Sequence, residues 1–193
     1  RKLAAFRKPH CSSMKSACSC PVCLSTGSEL LLDEAFRSVR TIPPYMHCSH
    51  CGAVFISQDI ERHVTNNSNR RIKRENFIAY TRYKTEINIY RKKWLERVLA
   101  DLGWSSAQRK ALDIGCKDCS FLKLLKDDGW VVIGIEPNAS YAALASEIYG
   151  LEIKNDYFQM GSFPGASFDL VACFHVLEHI SHPAPFLKAI REV

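Results

Sequence analysis

Two cysteine pairs, Cys20-Pro-Val-Cys23 and Cys48-Ser-His-Cys51, stand 24 residues apart in this 193-residue chain and constrain its fold more than any other feature. Two residues between cysteines let both thiolates of a tight turn point at one ion, and two such turns close a tetrahedral site. The pattern predicts a structural zinc site with Cys20, Cys23, Cys48 and Cys51 as ligands, on a small ribbon whose intervening stretch forms a hairpin between the two knuckles. Gly52, directly after Cys51, permits the φ > 0 turn that a knuckle uses, and Leu24 holds the matching place after Cys23. The nine cysteines are odd in number. That suits metal ligation in a reducing compartment better than a disulfide scaffold, so the expected location is cytoplasmic.

Composition adds limits. With 47% apolar and 24% charged residues the chain is globular. No apolar run reaches the roughly 18 to 20 residues that span a bilayer, so no membrane partner is expected. Residues 1–100 hold 18 Lys and Arg against 8 Asp and Glu, whereas residues 101–193 hold 8 against 12. A basic half can face nucleic acid, although basic helices are commonly just solvated.

Four segments follow. Residues 1–17 are a basic tail without the apolar core of a secretory signal, and Met14 is a candidate start. Residues 18–58 form the ribbon. Residues 59–107 read as a basic helical linker, with Tyr80, Tyr83, Ile87, Tyr90, Trp94, Leu95 and Val98 on one face. From 108 to 193, short apolar strands alternate with amphipathic helices, the pattern of an α/β fold with a Rossmann-like parallel sheet wrapped by helices. The last helical pattern runs to Val193 without a capping glycine, from which a chain that continues is expected.

Within that last segment, Lys110-Ala-Leu-Asp-Ile-Gly115 reads as a strand ending in a turn, and Trp130 to Ile135 as a buried strand ending at Glu136. Glu136 lies 21 residues after Gly115. An acid about 20 residues beyond the glycine turn can accept hydrogen bonds from both hydroxyls of an adenosine ribose, at the carboxyl end of a parallel sheet where ligands bind. A nicotinamide dehydrogenase shares this arrangement but expects Gly-x-Gly-x-x-Gly, of which only Gly115 is present.

Leu112-Asp-Ile-Gly-Cys116, Gly134-Ile-Glu-Pro137, Ser167-Phe-Asp-Leu-Val171 and Val176-Leu-Glu-His179, in that order, resemble the class I S-adenosylmethionine (SAM) methyltransferases. Including the two cysteine pairs, residues 18–193 resemble bacterial methyltransferases with an N-terminal zinc ribbon, often found with polysaccharide or other small-molecule biosynthesis. The resemblance implies SAM as cofactor and a small-molecule or glycan acceptor. It places Asp113, Gly115, Cys116 and Lys117 at the methionine end of SAM, Glu136 with Pro137 at the ribose, Asp156 and Tyr157 at the adenine, and Phe174 and His175 facing the methyl group. His175 is then the candidate general base. It also implies further strands beyond Val193 that complete the sheet, leaving the fourth strand as an edge in the residues at hand.

The family turn is Gly-Cys-Gly-x-Gly, whereas Gly115-Cys-Lys117-Asp-Cys119 lacks two of its glycines. His175-Val-Leu-Glu178-His179 matches an inverted zinc-protease motif, but it follows a strand where that motif belongs on a helix. The other function class is a non-catalytic module, in which the ribbon and the basic helix, with Arg70-Arg-Ile-Lys-Arg74 and Arg91-Lys-Lys93 among aromatic residues, bind nucleic acid or a partner on a degenerate methyltransferase scaffold.

Overall fold

A computed structural model describes residues 19–30, 45–56, 70–104 and 109–193. The expected tail (1–17), Met14, most of the hairpin between the knuckles and the start of the linker fall outside these residues. The chain divides into two compact units near residue 60.

In the smaller unit the described residues form a three-stranded antiparallel sheet in the order β1-β2-β3: β1 (Ser28–Leu30), β2 (Tyr45–Cys48) and β3 (Val54–Ile56). Ser28 pairs with Cys48, and His47 with Val54. Each knuckle closes through its own backbone: Leu24 N–H donates to Cys20 O and Gly52 N–H to Cys48 O, both at 2.9 Å. Leu24 (φ +62°) and Gly52 (φ +74°) both take the left-handed conformation expected of a knuckle. Leucine does so at a cost of about 1–2 kcal/mol.

The larger unit begins with α1 (Arg74–Asp101), followed by β4 (Lys110–Ile114), α2 (Ser120–Asp127), β5 (Val131–Ile135), α3 (Ala139–Tyr149), β6 (Glu152–Lys154), β7 (Leu170–Ala172), a 3-10 turn at Leu177–His179 and α4 (Pro183–Glu192). Among the described residues its four strands are all parallel, in the order β6-β5-β4-β7, so that there β7 pairs only with β4 and lies at an edge. This is the α/β sheet that the alternation of strand and helix patterns predicts.

Side chains alternate across the pleat and divide the core in two. Ala111 and Val132 face a cluster with Phe77, Leu95, Phe121, Leu122 and Leu125 from α1 and α2. Leu112, Ile114 and Ile135 face the other way, onto Phe186 of α4 and Val193. Gly134 sits where β5 has no room for a side chain: a Cβ there would lie 2.6 Å from Cys116 Sγ and from Ile153 Cδ1. Asp169 locks β7 to the start of β4, its carboxylate accepting from Lys110 N–H and its own N–H donating to Lys110 O, both at 2.9 Å. At the amino end of β5, Trp130 stacks on Trp104 with ring centroids 5.7 Å apart and planes 14° from parallel.

Helix α1 presents a different face to the sheet from the one its aromatic pattern suggests. Phe77, Asn88 and Leu95 are its buried residues, whereas Tyr83, Tyr90 and Trp94 are exposed. The polar Asn88 holds a core position because its Nδ2 donates to Ser120 Oγ of α2 at 2.6 Å. Among the described residues, no helix is long and apolar enough to cross a membrane.

Candidate functional site

The four cysteine sulfurs of the smaller unit lie within 4.8 Å of one another, with Cys20 Sγ 3.7 Å from Cys51 Sγ and Cys23 Sγ 3.6 Å from Cys48 Sγ. Zinc–sulfur bonds of about 2.3 Å in a tetrahedron require sulfurs about 3.8 Å apart, so this donor set fits zinc. Backbone N–H groups of Cys51 and His50 are turned on Cys48 and, against its burial, bring its thiol down to about 6, whereas burial and the neighbouring thiols push Cys23 up to about 12 and raise Cys51.

In the larger unit, the chain leaves β4 through a tight turn in the left-handed region. Gly115 (φ +68°) has Val176 against it, where an added Cβ would come within 2.6 Å of Val176 Cγ2. Lys117 (φ +49°) and Cys119 (φ +56°) then adopt the conformation for which the family pattern uses glycine. Cys119 N–H bonds Cys116 O at 2.8 Å and brings the two buried sulfurs to 3.2 Å. The Lys117 ammonium turns away along α1, donating to Tyr80 OH at 3.0 Å.

Glu136 ends β5 with its carboxylate fixed from two sides. Oε2 accepts from Lys117 N–H at 2.9 Å, and Oε1 from Asn138 N–H at 2.8 Å. Asn138 also caps α3, its side-chain oxygen accepting from Ser140 and Tyr141 N–H. Burial raises the Glu136 pKa, and the two backbone donors oppose that rise. Each oxygen keeps a lone pair for a ligand.

Two cavities open at the carboxyl ends of the strands. The first, about 340 Å³, holds Glu136, Pro137, Asp156 and Tyr157 against an apolar wall that includes Ile114, Tyr141 and Phe158. The second, about 330 Å³, holds Asp113, Cys116, Asp118 and Phe174. Gly115, Lys117, His175 and His179 line both. The ten residues that the sequence reading assigns to cofactor and base therefore line one pair of adjoining cavities. Asp156 Oδ1 accepts Tyr157 N–H at 2.8 Å.

His175 is itself left-handed (φ +58°). Its Nε2 lies 3.1 Å from Arg91 Nη2, and its Nδ1 lies 3.3 Å from Glu178 Oε1. Arginine only donates, so Nε2 is the acceptor and Nδ1 carries the proton toward Glu178. Phe174 packs edge-on against Phe121 beneath the Arg91 guanidinium.

Carboxyl groups crowd the floor of the second cavity. Burial first, and the neighbouring Asp118 charge second, push Asp113 up to about 8, while Arg91 pulls the other way. Asp118 is also raised by burial, and its Oδ2 is buried without a hydrogen-bond partner among the described residues.

Sequence reasoning missed the contribution of α1: Tyr80, Lys84, Asn88 and Arg91 form one wall of the second cavity. Their spacing of four, four and three residues was the available signal. It also missed Cys116-x-x-Cys119 as a third closely spaced cysteine pair, this one at a strand-to-helix junction.

A family model described as "Methyltransferase domain" matches residues 87–193. The ubiquinone biosynthesis O-methyltransferase of Stutzerimonas stutzeri (strain A1501) is 34% identical over 112 residues, which cover 54% of this chain and 45% of that protein. The chain thus spans about half the length of the relative it matches. Among solved structures, a SAM-dependent methyltransferase from Archaeoglobus fulgidus aligns with a TM-score of 0.42 at 21% identity, covering 58% of this chain and 52% of that one. The plantazolicin methyltransferase BpumL, solved with S-adenosylhomocysteine and a desmethyl plantazolicin analogue, aligns with a TM-score of 0.38 at 13% identity, covering 70% of this chain and 47% of that one.

Proposed function

Because this chain belongs to the methyltransferase domain family, we propose that it binds SAM in the two adjoining cavities and directs methyl transfer to a small-molecule or glycan acceptor. The observation that carries the reading is Glu136, whose carboxylate is fixed by Lys117 and Asn138 N–H at the end of a central parallel strand while lining the first cavity. The residues present fit SAM. A carboxylate with free lone pairs meets a ribose, an apolar wall with Tyr157 and Asp156 meets an adenine, and the orphaned Asp118 oxygen meets an ammonium group.

Bound SAM supplies an electrophilic sulfonium methyl. The chain's own residues then act by orientation and exclusion of water. Gly115, packed against Val176, keeps the turn close to the ligand, and Phe174 presents an apolar face to the reacting centre. His175 holds its proton on Nδ1 against Glu178, leaving Nε2 as the atom that takes the proton of an acceptor hydroxyl once Arg91 yields the position. The four cysteines hold a structural zinc with no open position, and thiolate ligation suits a cytoplasmic location.

Titration calorimetry with S-adenosylhomocysteine tests the reading. Glu136→Ala removes charge-assisted bonds of about 1.5–3 kcal/mol and is expected to weaken binding by about tenfold to a hundredfold. Unchanged affinity removes Glu136 from the site. A second reading, a nucleic-acid-binding module on a degenerate scaffold, draws on the exposed Tyr83, Tyr90 and Trp94 beside Lys93 and Arg97 on α1. RNA binding with a steep salt dependence, without S-adenosylhomocysteine binding, would favour it.

A further inference from the structure

Cys116-Lys-Asp-Cys119 is a Cys-x-x-Cys sequence whose thiols are used neither by the zinc centre nor by the proposed methyl transfer. It stands between the end of β4 and the start of α2, inside a β-α-β unit. Thiol–disulfide exchange pairs of this spacing occur at such junctions, whereas both cysteine pairs of the smaller unit belong to an antiparallel ribbon.

The local geometry suits a bond between the two sulfurs. Cys119 N–H donates to Cys116 O at 2.8 Å and closes a four-residue turn. Such a turn holds its end Cα atoms within about 7 Å, the span that a disulfide bridges. Cys119 Sγ already lies 3.2 Å from Cys116 Sγ, so an approach of about 1.2 Å brings the pair to the S–S bond length. Both residues are buried, Cys119 completely, but Cys116 lines the second cavity, which gives a small reagent a route to one sulfur. The hydrogen bond between the sulfurs and burial hold Cys116 well above the ordinary thiol range; the same bond lowers Cys119, and burial outweighs it. Both therefore rest as thiols, and their exchange at neutral pH is slow.

We propose that Cys116 and Cys119 form a thiol–disulfide modification site whose co-reactant is a low-molecular-weight disulfide. The Cys116 thiolate attacks one sulfur of the reagent, forming a mixed disulfide and releasing a first thiolate. The Cys119 thiolate then attacks Cys116 Sγ, forming the internal S–S bond and releasing a second thiolate. The two protons lost by the cysteines pass to the two released thiolates, so the pair is oxidised by two electrons and the reagent is reduced to two thiols. The new bond encloses Lys117, whose N–H holds Glu136, and moves a sulfur that lines the second cavity. Tightening the turn draws that N–H from Glu136, so oxidation weakens binding of S-adenosylhomocysteine. This consequence rests on the methyl-transfer reading; the modification itself does not.

The full chain is incubated with 2-hydroxyethyl disulfide, its remaining thiols are blocked with N-ethylmaleimide in denaturant, and its tryptic peptides are weighed by mass spectrometry. Trypsin cuts after Lys110, Lys117 and Lys123. The internal bond therefore joins peptides 111–117 and 118–123 or, where the ring hinders cutting at Lys117, leaves peptide 111–123 unblocked and two hydrogens lighter than its dithiol form. The wild type is expected to show this product, lost on treatment with dithiothreitol. Cys119→Ser is expected to stop at a mixed disulfide on Cys116, and Cys116→Ser to leave the buried Cys119 unmodified; the wild-type masses decide alone if a variant fails to fold. Both wild-type thiols blocked after incubation, or bonded to other cysteines, overturns the site. Calorimetry on the reduced and oxidised chains reads the consequence. S-adenosylhomocysteine is expected to bind the oxidised chain about fivefold or more weakly than the reduced one, with recovery in dithiothreitol. Equal affinities overturn the effect on binding and leave the modification site standing. If the reduced chain does not bind the compound, the methyl-transfer reading fails, and the peptide masses still decide the site.

Discussion

The carboxylate of Glu136 accepts the backbone N–H of Lys117 at 2.9 Å across the mouth of the first cavity, joining the end of β5 to the turn after β4. The donor belongs to the backbone, so any residue but proline at 117 can supply it. Lys117 stands at φ +49°. Strain in a turn that keeps its shape when a ligand arrives changes stability rather than affinity. Lys117→Gly is therefore expected to relieve about 1–2 kcal/mol of backbone strain, partly offset by the lost contact with Tyr80, and to leave the dissociation constant of S-adenosylhomocysteine within about threefold. Calorimetry on both proteins checks this, and a tightening of about tenfold or more would mean that the turn reshapes on binding.

Asp113 predicts the pH dependence of stability. Its pKa is 3.8 in the absence of structure and about 8 in the fold. The folded chain binds more protons between these values, so the contribution of Asp113 to stability is fully present below about pH 4 and declines as pH rises toward 8. Asp113→Asn, a neutral isostere, is expected to flatten the fall in urea midpoint between about pH 5 and pH 8. Identical pH profiles for the two proteins would show that Asp113 is ionised in the fold.

Purified protein is expected to carry one zinc per chain at the four-cysteine centre, and Cys20→Ser or Cys48→Ser to lose it and unfold the ribbon. Zinc binding in such modules is worth about 10–16 kcal/mol, far more than three short strands supply alone. Elemental analysis of both variants decides the matter, full occupancy being the contrary result.

At Gly134 a methyl group would meet Cys116, Ile153 and Leu122 together, at 2.6, 2.6 and 3.0 Å. Gly134→Ala is expected to destabilise the larger unit by about 1–3 kcal/mol. An unchanged urea midpoint would mean that the three side chains move aside without loss of packing.

Much of this was legible in the sequence because it is local. The Cys-x-x-Cys spacing fixes a turn, and the runs at Leu112 and Val131 end where a ligand-facing turn and an acid must follow. The two left-handed knuckle positions could be placed from Gly52 and its counterpart Leu24. The orientation of α1 was not legible. Its aromatic stripe is the more apolar one, yet Asn88 takes the buried position through a bond to Ser120, 32 residues away. That partner is invisible to any periodicity measured on one helix. The spacing of Lys84 and Arg91 puts them on one face of the helix, but only the packing of α1 on α2 turns that face toward the cavity.

The stack of Trp104 on Trp130 gives the larger unit an intrinsic optical signature. Two indoles 5.7 Å apart and nearly parallel couple their transitions, so the folded chain is expected to show a paired positive and negative band in circular dichroism that vanishes on unfolding. The pair sits at the amino end of β5, and the cavities lie at the carboxyl end. The signal therefore follows the integrity of the sheet and stays silent to ligand arrival. Trp94, exposed on α1, is the remaining tryptophan of the three. A chain keeping only Trp94 would report on the helix surface, and one keeping only the stacked pair would report on the sheet, so a single spectrometer can follow the two separately.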